Sequence, residues 1–89
     1  MTKIVKRKGH TEEFDERKLY ASIYNALLSL RMTDEEGETI SHMVTDDVKA
    51  AIKKKKEVSA HLLHQEAAKS LKKYHPDAAY LYSTHKDLS

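Results

Sequence analysis

The chain has 89 residues, enough for one small domain that buries roughly 60–65% of its unfolded surface. With no cysteine, neither a disulfide framework nor a cysteine–zinc site can brace its core, yet 39% apolar residues suffice to build one. A net charge of +2 does not make the continuous basic face of a strong nucleic-acid binder, and no segment nears the roughly 20 apolar residues of a membrane span or shows a secretory leader, so a cytoplasmic location is expected.

The charge is unevenly spread: residues 1–8 carry four basic side chains and no acid. Lys3 to Arg7 reads as a short strand, and His10 to Phe14 as its return. Lys8-Gly9 fits a two-residue turn between them, because glycine supplies the positive φ that tight hairpins need. Asp15 is a good N-cap for a first helix. Leu19, Ile23, Leu27 and Leu30 then recur at i, i+4, i+8 and i+11 as one apolar stripe, widened by Tyr20 and Tyr24, and the helix is expected to end near Arg31.

Thr33-Asp34-Glu35-Glu36 is a capping-box sequence, with Thr33 as cap and Glu36 two positions after the first helical residue. Ile40, Met43, Val44, Val48, Ala51 and Ile52 form the next stripe, and Gly37 weakens its first turns. Four lysines at 53–56 suit that helix's C-terminal end, where cations are favoured. Val58-Ser59 opens a third helix with Ser59 as cap, and Leu62, Leu63, Ala67, Leu71 and Tyr74 follow. Pro76 stops this helix or starts the next, and a final helix from Asp77 to about His85 carries Ala78, Leu81 and Tyr82 on one face. The predicted core is Leu19, Ile23, Leu27, Val44, Val48, Leu63, Ala67 and Leu71. The fold class is α+β: a small N-terminal β-hairpin or sheet capping about four helices, as a single domain over residues 1–89.

No phosphate-binding loop and no nucleophile beside a base stand out, and the carboxylate pairs Glu12/Glu13 and Asp46/Asp47 are adjacent, so their members diverge. An enzymatic role is not expected. His61 and His64 share a helix face at metal-ligand spacing but lack a third evident ligand; the alternative places His64 beside the hairpin and His61 in water. The lysine run could touch phosphates or simply be a solvated helix end, and the second reading is preferred.

Lys6, Arg7, Arg17 and Lys18 raise a sharper question. A hairpin packed on the first helix would bring these cations near a helix N-terminus, which is itself positive. Either an anion such as a phosphate chain sits among them, or they fan into water and pair with Glu12, Glu13 and Glu16.

The pattern Val5-Lys6-Arg7-Lys8-Gly9, then Glu12, Phe14-Asp15, Lys18-Leu19 and Ile23-Asn25-Ala26-Leu27, resembles the ATP-cone family. ATP-cones are regulatory domains at the N-terminus of ribonucleotide reductase large subunits, in the repressor of reductase genes and in isolated modules. Val58-Ser59, Leu63-His64 and "HPDAAYLY" extend the likeness to roughly residues 3–86. The resemblance implies that ATP or dATP, with Mg2+ as an optional companion, binds near the hairpin as an allosteric signal. By position it implies Lys6, Arg7 and Lys18 on the phosphates, Glu12 on the ribose or base side, and Phe14 lining the adenine pocket. Ile4 or Val5 would offer backbone contacts, with Gly9 in the turn and His64 reaching the nucleotide from the third helix. A position that can carry threonine in the family is Ser59 or Ala60 here, and Lys8 replaces the commoner acid or amide before the glycine. No reductase barrel and no cysteine zinc ribbon accompany the domain in this sequence. A homo-oligomer or a separate regulated protein is the implied partner; Tyr80 and Tyr82, on the helical side away from the hairpin, either form its surface or finish the core. A helical protein-interaction or nucleic-acid-binding domain that keeps the fold without nucleotide is the other reading.

Overall fold

A computed structural model describes residues 2–6 and 8–84. Arg7, and His85, to which the last helix is expected to run, lie outside them. Within them the elements run β1 (Lys3–Val5), β2 (Thr11–Glu13), α1 (Glu16–Leu28), α2 (Asp34–Ile52), β3 (Glu57–Ser59), α3 (Ala60–Tyr74) and α4 (Pro76–Thr84). The α+β class and the four helices agree with the sequence reading.

The lid is a three-stranded sheet in the order β2-β1-β3. β1 pairs antiparallel with β2, Ile4 opposite Glu12, and parallel with β3, Ile4 opposite Val58. Ile4 and Val58 thus sit side by side, and both are buried against the helices. The expected cap Ser59 holds and α3 begins at Ala60, but the sequence reading did not foresee that Glu57–Ser59, leading into it, is a strand. A three-residue strand is too short to show period-two alternation, and its partner is more than 50 residues away. Thr2 ties the sheet down, its Oγ1 lying 3.1 Å from the Ile52 carbonyl and 3.0 Å from that of Lys55.

The hairpin turn is also longer than expected. Lys6 N–H donates to the His10 carbonyl at 2.9 Å, and Gly9 N–H donates to the Lys6 carbonyl at 2.9 Å. Three positions rather than two separate the paired residues, and Gly9 takes φ 89°, as such loops require of the residue before the returning strand.

Local capping chemistry sets the helix starts. Asp15 Oδ1 accepts from Arg17 N–H at 2.9 Å, Thr33 Oγ1 from Glu36 N–H at 3.2 Å, and Ser59 Oγ from Leu62 N–H at 3.0 Å. Each satisfies a backbone donor that the first turn leaves free. α1 stops at Leu28, short of Arg31. Tighter bonds from Leu30 N–H to the Leu27 carbonyl and from Arg31 N–H to the Leu28 carbonyl, each 3.0 Å, end it, and Arg31 turns left-handed at φ 62°.

The helices close a ring in which α1 and α3 each pack on both α2 and α4. Leu19, Ile23, Leu27, Val44, Val48, Ala67 and Leu71 are buried at its centre, joined by Ile52, Ala78, Ala79 and Tyr82. Leu63 departs from expectation in being only partly buried. Tyr82 finishes the core, whereas Tyr80 is 74% exposed. Tyr80 and Tyr82 therefore do not form a shared surface away from the hairpin. Between α2 and α3, Asp47 Oδ2 accepts from Ser70 Oγ at 2.8 Å and from Tyr74 Oη at 3.0 Å, with Lys73 Nζ at 3.0 Å.

Candidate functional site

A groove of about 1230 Å³ runs between the hairpin, α3 and α4. β1 and β2 end on its rim and deliver Val5, Lys6 and Glu12; the turn adds Lys8 and His10. The α3 face contributes His61, His64, Lys69 and Lys72, and α4 contributes Tyr80 and the edge of Tyr82. Val5, Ala60, Ala68 and Ala79 make apolar wall between these polar groups. Small-ligand sites combine the same ingredients, a concave apolar surface with a few convergent polar groups.

The electrostatics favour an anion. In the described lining, four lysines (Lys6, Lys8, Lys69 and Lys72) face one carboxylate, Glu12. Lys6 Nζ stands 3.7 Å from Glu12 Oε2, with the two side chains 26% and 45% exposed. So long and solvated an ion pair contributes little, and it leaves Lys6 able to exchange Glu12 for a stronger acceptor.

His64 is held differently. Its Nδ1 lies 3.1 Å from Tyr82 Oη, and that hydroxyl lies 3.4 Å from Ser22 Oγ on α1. Burial first, then the nearby Lys6 ammonium and His61, hold the His64 imidazole below its ordinary pKa. It is therefore neutral at neutral pH. Burial pushes the Tyr82 hydroxyl up, so Tyr82 stays protonated.

A second, shallower depression of about 530 Å³ surrounds the start of α1 and is lined by residues 12–18. It holds Phe14, which is half-buried against the core, together with Arg17 and Lys18. Glu12 belongs to both hollows. Of the sequence-derived site residues, Val5, Lys6, Glu12 and His64 line the groove. Phe14 and Lys18 line the other hollow instead, Gly9 shapes the turn, and Ile4 is buried against the helices. Lys8 faces the groove. Lys69 and Lys72 were not anticipated, and Tyr80 was singled out only as a partner surface. The spacing 61, 64, 65, 68, 69, 72 puts one face of α3 on the groove, a stripe at helical period that could have been read once that face was known to be unpacked. Among the described residues no three His, Asp or Glu side chains converge on a metal-sized site, and no helix is long and apolar enough to cross a membrane.

A strand-built lid at one end of a four-helix ring, with a cation-lined groove beneath it, defines a small α+β ligand-binding module. The sequence profile of the ATP cone domain matches residues 2–88, and the chain belongs to that family of nucleotide-binding regulatory domains. A comparison with curated proteins returned no match.

Proposed function

We propose that this domain binds ATP or dATP between the hairpin and α3 as an allosteric signal and has no catalysis of its own. The observation that carries this reading is the groove itself: Lys6, Lys8 and His64 converge on it, and lysines outnumber acids in its lining. Charge-assisted bonds to phosphate oxygens suit such donors. Lys6 and Arg7 hold the phosphate chain, with Lys18 joining from the far side of Glu12. Glu12 and the backbone of Ile4 and Val5 address the ribose and base, and the apolar wall of Val5, Ala60, Ala68 and Ala79 gives the adenine a flat face. Mg2+ accompanies the phosphates without a dedicated protein site. In this reading the nucleotide is a signal that leaves unchanged.

The regulated party is a second copy of this chain or a separate protein of the cytoplasm. A ligand shifts such an assembly only by its differential affinity for the free and assembled states. Thermal unfolding with ATP, dATP and GTP tests the binding step. A ligand that binds only the folded state stabilises it by about 2.7 kcal/mol at one hundred times its Kd. A rise with the adenine nucleotides above that with GTP is expected, and no rise at millimolar ATP would overturn the reading. Sedimentation with each nucleotide then tests the output. Equal masses with ATP, with dATP and without ligand would eliminate self-association and leave the separate partner.

A further inference from the structure

The His64 ring reaches the groove from above a part-buried relay. Ser22 Oγ donates to the Leu19 carbonyl at 2.8 Å, which uses its only proton. Toward Tyr82 Oη, 3.4 Å away, Ser22 can therefore only accept. Directing the single Tyr82 proton to Ser22 lets Tyr82 Oη accept from His64 Nδ1 at 3.1 Å, the one assignment that gives each of these contacts a proton. Reversing the first step would leave two hydroxyl oxygens facing each other with no proton between them. The relay runs His64 Nδ1–H to Tyr82, Tyr82 to Ser22, and Ser22 to the Leu19 carbonyl.

In a neutral imidazole only one nitrogen carries a proton. If Nδ1 carries it, the opposite edge of the ring, which lines the groove, presents a bare lone pair at Nε2. A lone pair repels a phosphate oxygen; only the protonated ring can donate to it.

We propose that Tyr82 and Ser22 are positioning residues that commit His64 Nδ1 inward, so that His64 engages an anionic ligand through Nε2 only by taking up a proton when the ligand binds. This regulation of the groove rests on the nucleotide reading above. The groups that face His64 set the balance. In the groove lining the hairpin presents Lys6, Lys8, His10 and Glu12; α3 presents His61, Lys69 and Lys72; α4 presents Tyr80 and Tyr82. Burial, and after it the nearby Lys6 ammonium and His61, keep the ring neutral while the groove is empty. An arriving polyphosphate reverses the local field, and an opposite charge nearby favours the charged form. The domain thereby responds to nucleotide and acidity together, and the relay carries occupancy to α1 and α4.

Two measurements test this. In the free protein, the ring 15N chemical shifts report which nitrogen of His64 bears the proton. Nδ1–H is expected in the parent, and a change toward Nε2–H in Tyr82→Phe. An Nε2–H ring in the parent would overturn the positioning role whether or not nucleotide binds.

Calorimetry of ATP binding between pH 5 and 8, in buffers of different ionisation heat, then counts protons for the parent, His64→Gln and Tyr82→Phe. The ATP phosphate, His10 and His61 are common to all three, so the difference isolates His64. The parent is expected to take up as much as one proton more than His64→Gln. Its affinity should fall by up to about tenfold more per pH unit as pH rises through the transition. Tyr82→Phe, whose ring can turn a neutral Nε2–H to the phosphate, should show a flatter profile. Equal proton uptake in the parent and His64→Gln would overturn the linkage, and an unflattened Tyr82→Phe profile would overturn the role of Tyr82. ATP binding at no pH would remove the nucleotide reading, and the linkage with it, even where the shifts show Nδ1–H.

Discussion

The Tyr24 ring on α1 lies 3.1 Å from the point where a Cβ on Gly37 of α2 would stand. Glycine costs a helix interior about 1 kcal/mol relative to alanine, so the first turns of α2 give up propensity to let α1 approach. Tyr24 is held from both sides, stacked on Tyr20 and hydrogen-bonded to Asp34 at 3.3 Å.

Gly37→Val should destabilise the domain by about 1–3 kcal/mol, the usual cost of overpacking. Tyr24→Ala in the same chain should recover part of the loss, because contacting residues couple. Denaturant unfolding of the two single variants and the double variant checks this, and strict additivity would show that the ring is not the obstacle.

Ser41 and Thr45 lie one turn apart on the buried face of α2, and among the described residues neither side-chain oxygen has a hydrogen-bond partner. A buried hydroxyl without a partner costs about 1–3 kcal/mol, so Thr45→Val should raise stability by about 1 kcal/mol. A lower melting temperature for Thr45→Val would mean that the hydroxyl is bonded in solution.

Hydrogen bonds hold the Asp47 carboxyl below its ordinary pKa, first from Ser70 and then from Lys73. A depressed folded-state pKa contributes stability above the unfolded value, near 3.9, that is lost as pH falls through the folded one. Asp47→Asn should therefore flatten the acid limb of the stability curve. At neutral pH its cost should be about 1 kcal/mol, below the 1.5–3 kcal/mol of a well-shielded charged bond, because the side chain is 36% exposed. Equal acid limbs in parent and variant would remove the α2–α3 clasp from the account.

Much of this architecture is legible where the signal is local. Asp15, Thr33 and Ser59 are recognisable caps because each acts on a backbone N–H within three residues. The α1 stripe of Leu19, Ile23 and Leu27 follows from helical period alone. β3 escaped because its pairing with β1 is long-range, and the choice between surface and core for Tyr80 and Tyr82 stayed open because only packing against α1 and α3 tells a finishing core residue from a surface one. The hairpin half of the groove was marked by the KRKG turn. The α3 half was not, since Lys69 and Lys72 look like any solvated lysines until the lid shows which face stays open.

Replacing Lys6, Arg7 or Lys18 by Ala should weaken nucleotide binding by about 1–3 kcal/mol each, the range for a charged hydrogen bond. The fold should persist, since Lys6 and Lys18 lie outside the buried core. Circular dichroism with a binding titration checks both halves of the statement, and a triple variant that binds like the parent would end the phosphate assignment.

Isothermal titration of ATP into the purified domain at neutral pH, with and without Mg2+, tests the central claim most directly. The account predicts a saturable heat for ATP and dATP, weaker for GTP and lost in the Lys6, Arg7 and Lys18 triple-alanine variant. No heat at millimolar ATP in either condition, from a domain that melts cooperatively, would contradict it.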